Sequence, residues 1–230
     1  MEYILPPNSV LVNFYSLANL QIVKENYLMI HASIVQKVRV EVDRIFEEEI
    51  TDLFVYHNKA HTESVVNNCL RFASDYDISE YDRSILEIAG WFHDVGYSKG
   101  YENHEDSSEK IARAFLGKLT IPKEQIDQIA KCIQATKVET LPTNLLEEII
   151  KDADLANLGE GTFFDHSKRL RQEWFTILDE YHTDQQWNEL NQNFLMQHKY
   201  FTSAAINRLR AKKIENLEYL QKELLLMKEK

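Results

Sequence analysis

Turn-forming residues are scarce in this chain. Its 230 residues include 6 glycines and 4 prolines, where average usage would supply about 28 of the two together. Tight turns depend on glycine, proline, asparagine or aspartate, so turn-dense sandwiches and barrels are disfavoured and long helices are favoured. Cysteine is nearly absent. Cys69 and Cys132 form no CxxC pair and sit in helix-like segments, as small apolar core residues do in a reducing compartment. No apolar run approaches the roughly 18 residues needed to span a bilayer. The start, Met1-Glu2-Tyr3, has neither a basic region nor a clean apolar stretch after it, so no signal peptide and a cytoplasmic location are expected. Cations are outnumbered, 26 Lys and Arg against 37 Asp and Glu, a formal charge of −11. That surface repels a phosphate backbone, so duplex nucleic acid and membranes are not the expected partners. A small anion is still admissible, because a metal or a local cationic pocket overrides net charge.

The hydrophobic content, 44%, is enough for a sizeable core, and its spacing is helical. Residues 1–28, with the break Pro6-Pro7-Asn8-Ser9, read as an N-terminal extension, and residues 29–230 as one domain. Helices are predicted over about 31–50, 58–73 (Asn58 as N-cap), 81–95 (Gly96 as C-terminal stop), 106–117, 123–136, 144–158, 163–181, 184–198 and 202–227. The last is long and amphipathic, able to serve a homodimer as readily as a monomer core. The expected fold class is all-α, a compact multi-helix bundle.

Three patches carry chemistry: YHNKAHT at 56–62, WFHDVGY at 91–97 and KDADLANLG at 151–159. His57 and His61 are four apart and share a helical face. His93 and Asp94 are adjacent at a helix end, and an Asp from a later helix completes a His, His, Asp, Asp set. Imidazole with carboxylate suits Mn, Fe, Co, Ni or Zn, and a carboxylate-rich site also accepts Mg. Such a set leaves positions open for water or substrate. Asp152 and Asp154 are about 200° apart on a helix, so both cannot serve one ion. Helical periodicity does not choose between them.

With these patches, the segments NHEDSSEKIA, IQATK, LRQEW of Leu170–Trp174 and HKYFTSAAINRLRAKKIENL make the chain resemble the HD-domain superfamily of metal-dependent phosphohydrolases, from about Phe54 to Leu224. Within it the sequence is similar to a bacterial group of predicted HD phosphohydrolases, and to the HD domain of some Pycsar-type effectors. The resemblance implies a metal site between helices, with His61, His93, Asp94 and one Asp of the DAD as ligands. The A-D-L context of Asp154 favours it, with Asp152 in reserve. One ion is expected and a second is allowed for. Asp94 thereby joins the catalytic set.

His57 matches the general acid of class I cyclic-nucleotide phosphodiesterases; the competing reading is a structural histidine capping its own helix. Glu105, with Asp106, either orients water or a second ion, or caps the 106–117 helix, and His104 is a possible extra ligand. Lys137, which matches the family's A-T-K, and Lys99, Arg169 and Arg171 are the cations offered for phosphate. Tyr56, Trp91, Phe92, Tyr97, Phe163, Phe164 and Trp174 either line a pocket or fill the core. The expected reaction is metal-dependent hydrolysis of a phosphate ester, a nucleotide or other small phosphorylated molecule. The alternative is an HD module that binds nucleotide or metal without turnover.

Overall fold

The structure, a computed structural model, describes residues 32–228; the proposed extension 1–28 lies outside them. The described residues contain helices and no strand. Helix α1 covers 32–48 of the described chain. It is followed by α2 (Lys59–Ala73), α3 (Glu80–Phe92), a 3₁₀ turn (Val95–Lys99), α4 (His104–Leu116), α5 (Lys123–Ala135) and α6 (Leu145–Asp154). A second 3₁₀ turn (Ala156–Gly159), α7 (Phe163–Leu178), α8 (Asp184–Gln197) and α9 (Ser203–Lys228) complete it. No helix among the described residues is long and apolar enough to cross a membrane.

The core is the meeting of the apolar stripes of α2, α3, α5 and α6. Val65, Val66, Cys69 and Phe72 of α2 pack with Ile85, Ile88, Ala89 and Phe92 of α3, and with Ile129, Ile133, Ile149 and Ile150 beyond. Both cysteines are buried free thiols, as expected of small apolar residues. A smaller cluster of Leu158, Phe163, Leu195 and Leu220 joins the second 3₁₀ turn to α7, α8 and α9.

Capping explains the helix starts. Asn58 accepts from the N–H groups of Ala60 and His61; Ser79 with Asp82, and Thr183 with Gln186, form reciprocal capping boxes. Each satisfies donors that a helix leaves orphaned. The end of α6 is tied down twice. The Lys151 ammonium donates to the carbonyls of Ala135, at 3.0 Å, and Lys137, at 2.5 Å, closing the end of α5. Asp152, fully buried, accepts from the N–H of Phe201 (2.9 Å), the N–H of Thr202 (2.7 Å) and the Thr202 hydroxyl (2.6 Å), pinning the entry to α9.

Asp152→Ala removes a charged acceptor from buried donors and should cost about 3 kcal/mol in urea unfolding. His198, between α8 and α9, has its imidazole held down to about 3 by burial and by the charges of Lys213 and Lys151. A depressed histidine leaves the unfolded chain binding more protons. Stability from this group is therefore intact above about pH 6.5 and is lost as pH falls from there toward 3. His198→Gln should flatten that part of the acid limb, measured as unfolding free energy against pH; an unchanged limb contradicts the assignment.

Candidate metal centre and adjoining cavity

Three helix ends converge on one spot. His61 lies in the first turn of α2, placed by the Asn58 cap. His93 is the C-cap of α3 and Asp94 the residue after it, where the backbone leaves helical geometry for the 3₁₀ turn. Asp154 is the last residue of α6. The nearest ligand atoms of His61, His93 and Asp154 all lie within 4.8 Å of one another. Asp94 joins them, with Oδ2 3.2 Å from His93 Nε2 and 3.4 Å from His61 Nε2. His61 Nε2 also stands 3.1 Å from Asp154 Oδ1.

The donor set fits a divalent cation. His93 Nδ1 lies 2.8 Å from the carbonyl of Gly90, which can only accept, so Nδ1 carries a proton and Nε2 is the ring atom turned toward the cluster. Asp94 Oδ2 is buried and has no hydrogen-bond partner. The two Nε2 atoms face each other at 3.4 Å. Ring nitrogens and carboxylate oxygens crowd one point, and a cation would satisfy them together. Burial alone would raise the carboxyl of Asp94, but His93, with His57 and His61 adding charge, holds it well below the usual carboxylate range. Asp154 behaves likewise: burial opposes, and bonds and charge from His61 and His93 win. Burial would lower His93, yet Asp94 and Asp154 keep it well above the ordinary histidine value. Both carboxylates are thus anionic and call for positive charge. Asp152 faces away toward α9, so only Asp154 of the pair reaches the cluster.

His57 sits beside this centre without capping its helix; Asn58 does that. Its Nδ1 is 2.5 Å from Glu173 Oε1, while the N–H groups of Tyr56 (2.8 Å) and His57 (3.0 Å) donate to Oε2. A carboxylate only accepts, so the proton is on Nδ1, and Nε2 is left to the cavity. Glu173, fully buried, comes from α7, more than a hundred residues along the chain. Sequence reasoning missed it: LRQEW stood among the resembling segments, but no spacing connects it to His57.

The ring of His57 stacks on Tyr97 (centroids 4.4 Å), and His104 stacks on the same tyrosine (4.0 Å). The expected N-terminus of α4, near residue 106, moves to His104, after Asn103 in the left-handed region. His104 Nε2 is 3.6 Å from Asp94 Oδ1 and 3.5 Å from Glu105 Oε1, so Glu105 reaches the cavity rim. Asp106 is turned to Lys137 and Gln134. Gly96, expected as a helix stop, serves close approach. A Cβ there would lie 1.8 Å from the carbonyl oxygen of His104, and its N–H donates to Ser108 Oγ.

Beside the centre opens a cavity of about 430 Å³. Tyr56, Tyr97, Phe163 and Trp174 line it, whereas Trp91 and Phe92 are core and Phe164 packs on Tyr219. None of the cations offered for phosphate is among the residues that line it. Lys99 pairs with Glu49 at 2.8 Å, Arg171 with Asp184 at 2.7 Å and Lys137 with Asp106 at 2.6 Å. Opposite charges nearer to hand captured them. His166, Ser167 and Asn191, which no motif flagged, do line it.

Residues 59–156 match the HD domain family. None of the curated proteins matches the chain. Among solved structures, the fold is similar to that of a predicted HD superfamily hydrolase from an uncultured Thermotogales bacterium. The two are 16% identical, with 84% of this chain and 92% of that one covered at a TM-score of 0.57.

Separating ligand from anchor gives a direct check. Asp94→Ala should abolish stoichiometric Mn or Ni binding with helix content near wild type, whereas Asp152→Asn should keep the metal and lose stability; elemental analysis and circular dichroism read both. Gly96→Ala should cost about 3 kcal/mol by forcing α4 off the turn.

Proposed function

We propose, from the match of residues 59–156 to the HD domain family, that the protein is a metal-dependent hydrolase acting on a phosphate ester, a nucleotide or another small phosphorylated molecule. The observation that carries the reading is the inward set of His61, His93, Asp94 and Asp154, with an unpartnered buried carboxylate oxygen, opening onto a cavity. These four side chains would hold one divalent transition metal, with Mg admitted by the carboxylates. When bound, such an ion lowers the pKa of water and offsets charge on a phosphoryl oxygen.

The chain's own residues supply the rest. His57 presents Nε2 to the cavity and, when protonated, donates a proton to the leaving oxygen. Glu173 fixes the tautomer and ring orientation and accepts from Nδ1 as the imidazolium forms. Tyr97 packs on that ring and keeps its plane, and His104 stacks on the same tyrosine. Glu105 at the rim can accept a hydrogen bond from attacking water. Tyr56, its hydroxyl receiving the Asn157 amide at 3.1 Å, closes the side toward α7 and excludes bulk water.

The test is a turnover screen over nucleoside mono-, di- and triphosphates, cyclic nucleotides and phosphomonoesters with Mn, Ni, Mg and Zn side by side. Turnover is expected with at least one pairing; metal and ligand binding without any turnover would make the domain a binding module. For the ester that is turned over, His57→Gln should lower kcat by about 10²- to 10⁴-fold. Glu173→Gln should lower it by about 10- to 100-fold, with metal content unchanged in both. Wild-type kcat in His57→Gln would remove it from the mechanism.

A further inference from the structure

The cavity is two-sided, and its far side bears on the substrate. One end is the metal cluster with His57. The remaining lining includes an apolar wall of Leu170 and Trp174 from α7 and Trp187, Leu190 and Phe194 from α8, with Phe163. The two indoles meet edge to face at 5.4 Å. Polar groups on this side are already spent on one another. Trp187 Nε1 donates to Ser167 Oγ at 2.8 Å, Ser167 Oγ to Asn191 Oδ1 at 3.1 Å, and Asn191 Nδ2 to the Trp187 carbonyl at 2.8 Å. Trp174 Nε1 donates to the Tyr101 hydroxyl at 2.8 Å. Of these donor groups only the second N–H of the Asn191 amide is left over.

Charge points the same way. Among the described residues that line the cavity there is no lysine or arginine, and the acidic side chains are Asp94, Asp154 and Glu105. A bound divalent ion offsets the two aspartates; Glu105 stays negative. His166, the lining imidazole contributed by α7, is kept toward its neutral form by burial and by the charges of Arg169 and His61. A single phosphoryl group at the metal end is therefore accommodated, and a chain of further phosphates would lie along apolar wall or against Glu105 with no cation to receive it.

We infer that this site takes a singly phosphorylated molecule whose remaining body is uncharged, flat and largely apolar, and that it discriminates against additional phosphoryl groups and against small polar alcohols. The inference rests on the phosphohydrolase reading for the phosphoryl end alone; the body's chemistry is read from the α7–α8 wall. A nucleoside monophosphate meets the description through its base ring, as does an aryl phosphate, and both are held by stacking and burial rather than by edge-specific hydrogen bonds.

The test uses the full chain loaded with Mn and two matched series: 1-naphthyl phosphate against glycerol 3-phosphate, and adenosine mono-, di- and triphosphate. The kcat/KM of wild type is measured for each, together with calorimetric dissociation constants on His57→Gln, which is expected to bind with slow turnover. Naphthyl phosphate should surpass glycerol phosphate by about tenfold or more, and the monophosphate should surpass the triphosphate by a similar factor, in both readouts. Leu190, 42% exposed at the rim, offers a variant that spares the core: Leu190→Lys should shrink the penalty on the diphosphate by bringing in a cation. Hydrolysis with equal or inverted preferences would overturn the inference and leave the phosphohydrolase reading standing. The expected binding preferences without hydrolysis of any ester would do the reverse. Absence of both binding and turnover across the two series would overturn the inference as well.

Discussion

Two carboxylates and two imidazoles are brought to one buried point by the ends of three helices, and much of the architecture serves to hold them there. Burying Asp94 and Asp154 without positive charge is expensive. Each of the three ends therefore has its own fastening. Asn58 starts α2 one turn before His61, the Gly90 carbonyl fixes the ring of His93, and Lys151 and Asp152 anchor the last turn of α6 to α5 and α9. The short motif KDAD thus divides its labour. Lysine closes a neighbouring helix, the first aspartate holds the entry to α9, and the second faces the cluster two residues on, where α6 ends.

The region matching the HD domain ends at residue 156, and the helices beyond it are more than a cover. Helix α7 reaches back to give Glu173 to His57. Together with α8 it supplies the indoles and aliphatic side chains that wall the cavity. The four candidate metal ligands thus fall within the matched segment, whereas His57, Glu173 and the α7–α8 wall of the cavity lie outside it.

The helices were legible because amphipathic periodicity and capping are local, and Asn58, Pro122 and Asn144 marked starts to within a residue or two. His61, His93, Asp94 and Asp154 were legible as a set only through resemblance; periodicity left Asp152 and Asp154 equivalent, and three-dimensional packing on α9 separated them. Pairings between distant segments were not legible. Lys99 looked free for phosphate, yet Glu49 from the end of α1 takes it. Glu173 drew no reading of its own, because its partner lies across the fold. Gly96 read as a stop, because sequence does not reveal that a carbonyl from α4 occupies the space of a side chain.

The claim at the centre is that the four converging side chains form a cation site integral to the folded state. A ligand that binds only the native form raises stability with concentration. The melting temperature of the protein titrated with Mn, beside that of His61→Ala, tests this directly. The account predicts a rise across the titration in wild type and none in the variant. No rise in wild type, or an equal rise in both proteins, would contradict it.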